Sequence, residues 1–179
     1  MQYTDYDDYK NHLNSEITRM TASIAETVNS RIFDRVIAAM HDSRQVLMVV
    51  AEQSASPIRD FQQQMIMFNR VIRILTSSSQ DVSVLNSLEE DDLVIVCSVT
   101  GNFAIVINDD IRQVKAKKIL ITNNRTTLFA NSYNGIVYLS SLENPSSKKI
   151  NPRRNVYTVY GLSYFLDLLF HAYYMRYQN

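Results

Sequence analysis

The sequence is poor in several of the residues on which particular kinds of site depend. It has a single cysteine, Cys97, which excludes a disulfide framework and a thiolate metal cluster. Cys97 closes the apolar run Leu93–Cys97, where a thiol is more often a small buried side chain than a nucleophile. Neither sign of charge is in surplus, because 18 Lys and Arg balance 18 Asp and Glu. The chain therefore has no bulk field to draw it to nucleic acid or to an anionic membrane surface. A membrane span needs about 20 predominantly apolar residues. The longest aromatic-rich segment, 157–177, is interrupted by Ser163, Asp167, His171 and Arg176, and it reads as a helix buried in protein. The opening MQYTDYDDYK is acidic and lacks the basic start and apolar run of a signal peptide, so the expected location is the cytoplasm. There is no internal repeat or low-complexity tract.

What is present has the balance of an ordinary globular domain, 46% hydrophobic and 20% charged. Its 179 residues fit one domain, since a typical domain takes roughly 100–200. Residues 1–179 are accordingly read as a single domain with a helical N-terminal extension over 1–44. Five short apolar runs rich in β-branched residues follow: Val46–Val50, Val71–Leu75, Leu93–Cys97, Lys118–Thr122 and Ile136–Leu139. Continuous apolar runs separated by helical patterns mark buried parallel strands joined by crossover helices. The fold class expected is α/β, a three-layer α/β/α sandwich on a five-stranded parallel sheet. Between the runs, Ile58, Phe61, Met65 and Phe68 recur at helical steps within Ser56–Phe68, and Ala104, Ile107, Ile111 and Val114 repeat the pattern. Pro57 stands early in the first of these helices, where its missing N–H costs little. Two amphipathic helices, Asp8–Thr27 and Ile32–Met40, precede the sheet. Ser140–Asn155 carries two of the three prolines and the cluster Lys148, Lys149, Arg153, Arg154, and it reads as an exposed loop.

Ligands of open parallel sheets bind at the carboxyl ends of the strands, where helix N-termini offer N–H groups and partial positive charge. The loop after the third run, Ser98-Val99-Thr100-Gly101-Asn102, supplies two hydroxyls, an amide and a glycine that lets the backbone turn tightly against an anion. The same residues also make an ordinary helix cap. The loop after the first run, Glu52-Gln53-Ser54-Ala55-Ser56, is again hydroxyl-bearing and precedes a helix, and two such loops on one sheet edge favour a site. The candidate ligand-binding residues are Gln53, Ser54, Ser98, Thr100, Gly101 and Asn102. Thr76-Ser77-Ser78-Ser79 after the second run adds further hydroxyls, although such a loop is mostly just a turn.

The run from Leu93 to Asn102, Leu-Val-Ile-Val-Cys-Ser-Val-Thr-Gly-Asn, resembles the strand and Ser-x-Ser-Gly loop of the sugar isomerase (SIS) domain. The likeness extends from about Ile32 to about Phe170, and within that family the chain is most similar to the effector domain of RpiR-type bacterial transcription regulators. The resemblance implies the sheet order 2-1-3-4-5 and a phosphosugar held by the loops after strands 1 and 3. Ser54, Ser98, Thr100 and Gly101 match the family pattern. Ala51, Glu52 and Gln53 stand where the family carries glycines, and Phe103 where it carries a threonine.

The resemblance implies a sensor of a sugar phosphate effector that acts through a homodimer. DNA would be contacted only through a helix-turn-helix domain absent from this chain, and no membrane, cofactor or metal is assigned. The alternatives are a phosphosugar isomerase and an SIS fold kept only as a dimerisation scaffold. An isomerase needs a carboxylate or histidine placed to move a proton between neighbouring carbons. Glu52 is in a suitable loop but is equally a solvated acid, and His12, His41 and His171 fall on expected helices, so no catalytic residue is assigned and the chain is read as not an enzyme.

Overall fold

Strands that are apolar throughout need cover on both faces, and this chain supplies it with helices. The computed structural model describes residues 3–78, 83–140 and 155–177. Its strands are β1 (Val46–Val50), β2 (Ile72–Thr76), β3 (Leu93–Cys97), β4 (Lys117–Thr122) and β5 (Gly135–Tyr138), all parallel, in the order β2-β1-β3-β4-β5. The expected order and sheet are both present. The central strands β1 and β3 are buried along their whole length, while the edge strand β2 is buried only at Ile72.

Strand boundaries differ from the expectation where the backbone, not the side chain, decides. β4 and β5 begin one residue earlier, because Lys117 and Gly135 pair through the main chain with Leu93 and Ile119. β2 begins one residue later: Val46 pairs with Ile72, and Val71 is left 64% exposed outside the ladder.

The helices are α1 (Tyr6–Val28), α2 (Arg31–Asp42), α3 (Ala55–Ile66), α4 (Ser83–Asn86), α5 (Asn102–Val106), α6 (Asn108–Gln113) and α7 (Leu162–Tyr177). Side chains alternate across a strand, and the two sets enter different cores. Met48, Ile95 and Ile121 pack with Met20, Val36, Phe61 and Phe165 from α1, α2, α3 and α7. Leu47, Val49, Val94 and Val96 pack with Ala104, Ile111 and Phe129 on the other face. That is the three-layer sandwich. Cys97 is a free thiol in the first core, and burial pushes its pKa up, consistent with an inert strand residue.

Two helical expectations need correction. The stripe Ala104, Ile107, Ile111, Val114 predicts one helix, but the chain divides at Ile107 (φ −93°, ψ 6°) into α5 and α6. The break buries Asn108 while Ala104 and Ile111 still reach the core. The last segment is not one uniform helix either, since a π-helical turn over Tyr157–Gly161 precedes α7. Its aromatic residues go largely to internal packing. Tyr157, Phe165 and Tyr173 are buried, Phe165 meets Phe33 edge-on at 5.8 Å, and Phe170 and Tyr174 lie 5.3 and 5.2 Å from Phe68. Tyr160 and Tyr174 remain 43% and 45% exposed. Among the described residues no helix is long and apolar enough to cross a membrane. The basic cluster Lys148, Lys149, Arg153, Arg154 lies outside the described residues.

Candidate ligand-binding site

The position of a site follows from the topology. After β1 the chain crosses to β2 on one side, by way of α3, which packs into the first core. After β3 it runs to β4 and β5 on the other side, by way of α5 and α6, which pack into the second. The loops after β1 and β3 therefore part in opposite directions although Val50 and Cys97 are paired neighbours. A crevice opens at such a reversal of strand order, which is where ligands of doubly wound sheets bind. The six candidate residues stand in the two loops that part there.

On the β3 side, Gly101 adopts φ 81°, the left-handed conformation that glycine enters at no steric cost. Its N–H donates to Ser98 O at 2.9 Å, closing the turn. The Ser98 side chain is buried, and its Oγ accepts the Ala104 N–H at 3.2 Å. Thr100 Oγ1 accepts the Asn102 N–H at 3.4 Å. Ser98 and Thr100 thus hold N–H groups of the first turn of α5, and each hydroxyl keeps its proton available for donation. Thr100 and Asn102 are exposed.

On the β1 side, a 3-10 turn over Glu52–Ser54 leads into α3. Ser54 stands at the N-cap of α3 but makes no capping bond with its side chain. Gln53 is exposed and Ser54 half-buried. The structure brings all six candidates to one sheet edge, with Ser98 and Thr100 engaged in capping.

Each side is stapled to its outer neighbour. Asn124, in the loop after β4, donates from Nδ2 to Thr100 O (3.1 Å) and accepts the Thr126 N–H on Oδ1 (3.0 Å). Glu52 donates its N–H to Ser77 Oγ (3.0 Å), and its carboxylate is held by Ser78 (2.7 Å) and Arg59 (3.2 Å). Hydrogen bonds from Thr76, Ser78 and Arg59 hold the Glu52 carboxyl down at about 2. Farther along the edge, Arg125 stacks 4.1 Å above the Tyr138 ring and donates to Ser140 O at 2.7 Å. Sequence reasoning did not single out Asn124, Arg59 or Arg125. The one signal for Asn124 was its place directly after a strand, among other short polar residues.

No family model matches the sequence, and no curated protein matches it. Solved structures do. The chain is similar to the sugar isomerase domain of an RpiR transcription factor from Sphaerobacter thermophilus, at 15% identity and TM-score 0.65 over 90% of this chain and 89% of that one. It is similar to the NanR protein of Vibrio vulnificus complexed with ManNAc-6P, at 12% identity and TM-score 0.71 over 98% and 71%. A protein from Methanococcus jannaschii, described as inferring a 3-hexulose-6-phosphate isomerase, matches at 16% identity and TM-score 0.66 over 92% of each chain. At such identities the likeness is one of fold. The chain has the α/β fold of SIS domains, a fold shared by regulators and isomerases alike.

Proposed function

We propose that this chain is the phosphosugar-sensing effector domain of an RpiR-type transcription regulator. The observation that carries the reading is the reversal of strand order between β1 and β3, with the left-handed turn at Gly101 in one of the two loops that part there and Gln53 and Ser54 in the other. Ser98 and Thr100 carry hydroxyls beside the Gly101 turn, and each keeps a proton to donate to a phosphate oxygen. The similar structure described with ManNAc-6P supports a sugar phosphate as the ligand class. DNA contact is assigned to a separate helix-turn-helix unit, because α1 and α2 put their apolar residues into the domain's own core.

Sensing is preferred to catalysis because the one acid in these two loops is held by its neighbours and the three histidines stand on helices. Glu52 is held by Ser78 and Arg59. His41 stacks on Tyr177 at 3.7 Å, His171 lies exposed on α7, and His12 sits 5.4 Å from the Tyr3 ring. The test is titration calorimetry with a panel of ketose and aldose phosphates, sampled in parallel for interconversion. A Ser98→Ala, Thr100→Ala double variant should bind at least about tenfold more weakly, since charge-assisted hydrogen bonds are worth about 1.5–3 kcal/mol each. Undiminished affinity moves the site elsewhere, and steady interconversion by the parent chain makes it an isomerase.

The assembly proposed is a two-fold dimer. Tyr174 and Met175 on α7 and Ile66 and Met67 at the end of α3 are all more than 40% exposed, and tyrosine and methionine are enriched at interfaces. Light scattering at micromolar concentration should give twice the 20.7 kDa chain mass. A monomer under those conditions removes the simplest route from sugar to DNA.

A further inference from the structure

The turn after β3 has each of its successive carbonyl oxygens from Ser98 to Gly101 engaged by a donor of the protein itself. Ser98 O accepts the Gly101 N–H and Gly101 O accepts the Ile105 N–H, both at 2.9 Å. Val99 O accepts the Asn123 N–H at 2.9 Å and the hydroxyl of buried Thr122 at 3.4 Å. Thr100 O accepts from Asn124 Nδ2 at 3.1 Å. Carbonyl oxygens repel an anion, whereas N–H and O–H groups hold it. A turn whose carbonyls are all engaged inside the protein therefore suits a phosphate, and the donors that engage them belong to the site.

These bonds are not equally secure. Those to Ser98, Val99 and Gly101 include a main-chain N–H, which no substitution short of proline removes. Thr100 O depends on one side chain among the described residues. Its peptide unit also carries the Gly101 N–H, so rotation of that unit would break the bonds to Asn124 and to Ser98 together. Gly101 offers little resistance, because glycine populates positive and negative φ alike. The Asn124 amide can resist because it is itself anchored. Its Oδ1 accepts the Thr126 N–H at 3.0 Å, and its own N–H donates to Thr122 Oγ1 at 3.1 Å.

We propose that Asn124 is a positioning residue of the sugar-phosphate site, holding the Thr100–Gly101 peptide unit so that its carbonyl stays bonded to the loop after β4 and the Ser98 and Thr100 hydroxyls keep their setting. This deepens the sugar-phosphate reading and rests on it for the identity of the ligand. Asn124 acts through Thr100 from the neighbouring loop. Its loss weakens binding by loosening the turn, not by removing a contact to the ligand.

The experiment compares the full chain with Asn124→Leu, which keeps the side chain's shape and removes its hydrogen bonds, and with Asn124→Ala, which removes them without bulk should the leucine variant not fold. Two quantities are read: calorimetric affinity for the same panel of ketose and aldose phosphates, and hydrogen exchange of the Gly101 amide relative to that of Ile95 in the buried strand β3. The variants should bind about tenfold more weakly, and the Gly101 amide should exchange about tenfold faster relative to Ile95. Asp92→Asn, at the opposite sheet edge, should be less stable yet keep the parent affinity. Equal weakening in Asp92→Asn would trace the effect to stability in general and overturn the proposal. Parent affinity in a folded Asn124 variant overturns it too, and so does weaker binding without faster Gly101 exchange, which would make Asn124 a ligand contact. If Gly101 exchange rises but no protein, the parent included, binds a sugar phosphate, Asn124 holds the turn and the sugar-phosphate reading fails.

Discussion

Replacing Asp92 by alanine should lower the free energy of unfolding by about 3 kcal/mol, because three donors converge on its buried carboxylate and lose their acceptor together. Asp92 is 1% exposed. Its Oδ2 accepts from Arg44 Nη2 at 2.7 Å, Gln45 Nε2 at 3.0 Å and the Glu89 N–H at 2.9 Å. The same residue accepts the Lys117 N–H on its main-chain oxygen at 3.1 Å. Asp92 therefore ties the starts of β1, β3 and β4 at the sheet edge opposite the candidate loops. For a domain of this size the loss corresponds to a fall in melting temperature of about 10 °C. Asp92→Asn keeps the shape and an accepting oxygen and should cost less than half as much.

The same site gives a pH dependence of definite sign. Burial raises the Asp92 pKa, but the Glu89 N–H, Gln45 and Arg44 outweigh it and leave the carboxyl below its ordinary value. The unfolded chain then binds a proton at Asp92 more readily than the folded one, so stability rises with pH across that range. The contribution is complete above the unfolded carboxylate pKa of about 3.9 and disappears as pH falls through the lower folded value. Chemical denaturation of the parent chain and of Asp92→Asn between pH 3 and 6 should show a shallower acid loss in the variant, and identical slopes would remove Asp92 from this role.

How far the sequence could be read depended on the distance between the residues involved. β1 and β3 were legible to the residue because five consecutive apolar side chains can only be a doubly buried strand here. β2 was legible only to within one residue, since Val71 and Ile72 look alike in sequence and the register with Val46 separates them. The division of α5 from α6 left no trace in the apolar period, because Ala104, Ile107 and Ile111 satisfy one continuous helix as well as two short ones. The candidate edge was legible as a set of loops. Its staples were not: Ser78 and Glu52 are 26 residues apart, and Arg44 and Asp92 are 48 apart. Only the parallel register makes neighbours of such pairs. Glu52 is an exposed loop acid, as one of its two sequence readings had it, but the hydroxyl and guanidinium that hold it were not legible.

Gly101→Ala should be among the most damaging single changes on the ligand side, lowering stability by about 2–4 kcal/mol and sugar-phosphate affinity with it. Two separable causes act at this position. The first is conformational, since a residue with a Cβ pays about 1–2 kcal/mol to hold the left-handed φ of 81°. The second is steric, since an added methyl would overlap the Cβ and Cγ of Asn124. Asn124 cannot easily turn aside, because one end of its amide donates to Thr100 O and the other accepts the Thr126 N–H. The strain would therefore be relieved by moving the Ser98–Asn102 turn, and with it the hydroxyls that the proposed function requires. A double-mutant cycle separates the two causes. Asn124→Gly, which takes away the Cβ as well as the amide, removes the bond to Thr100 and should cost about 1–2 kcal/mol. Combined with Gly101→Ala it removes the overlap but not the φ strain, so the pair should be more stable than the sum of the single losses by about 1–2 kcal/mol. Strict additivity in urea denaturation would show that the methyl never meets Asn124, and that the backbone angle alone makes glycine necessary at the turn.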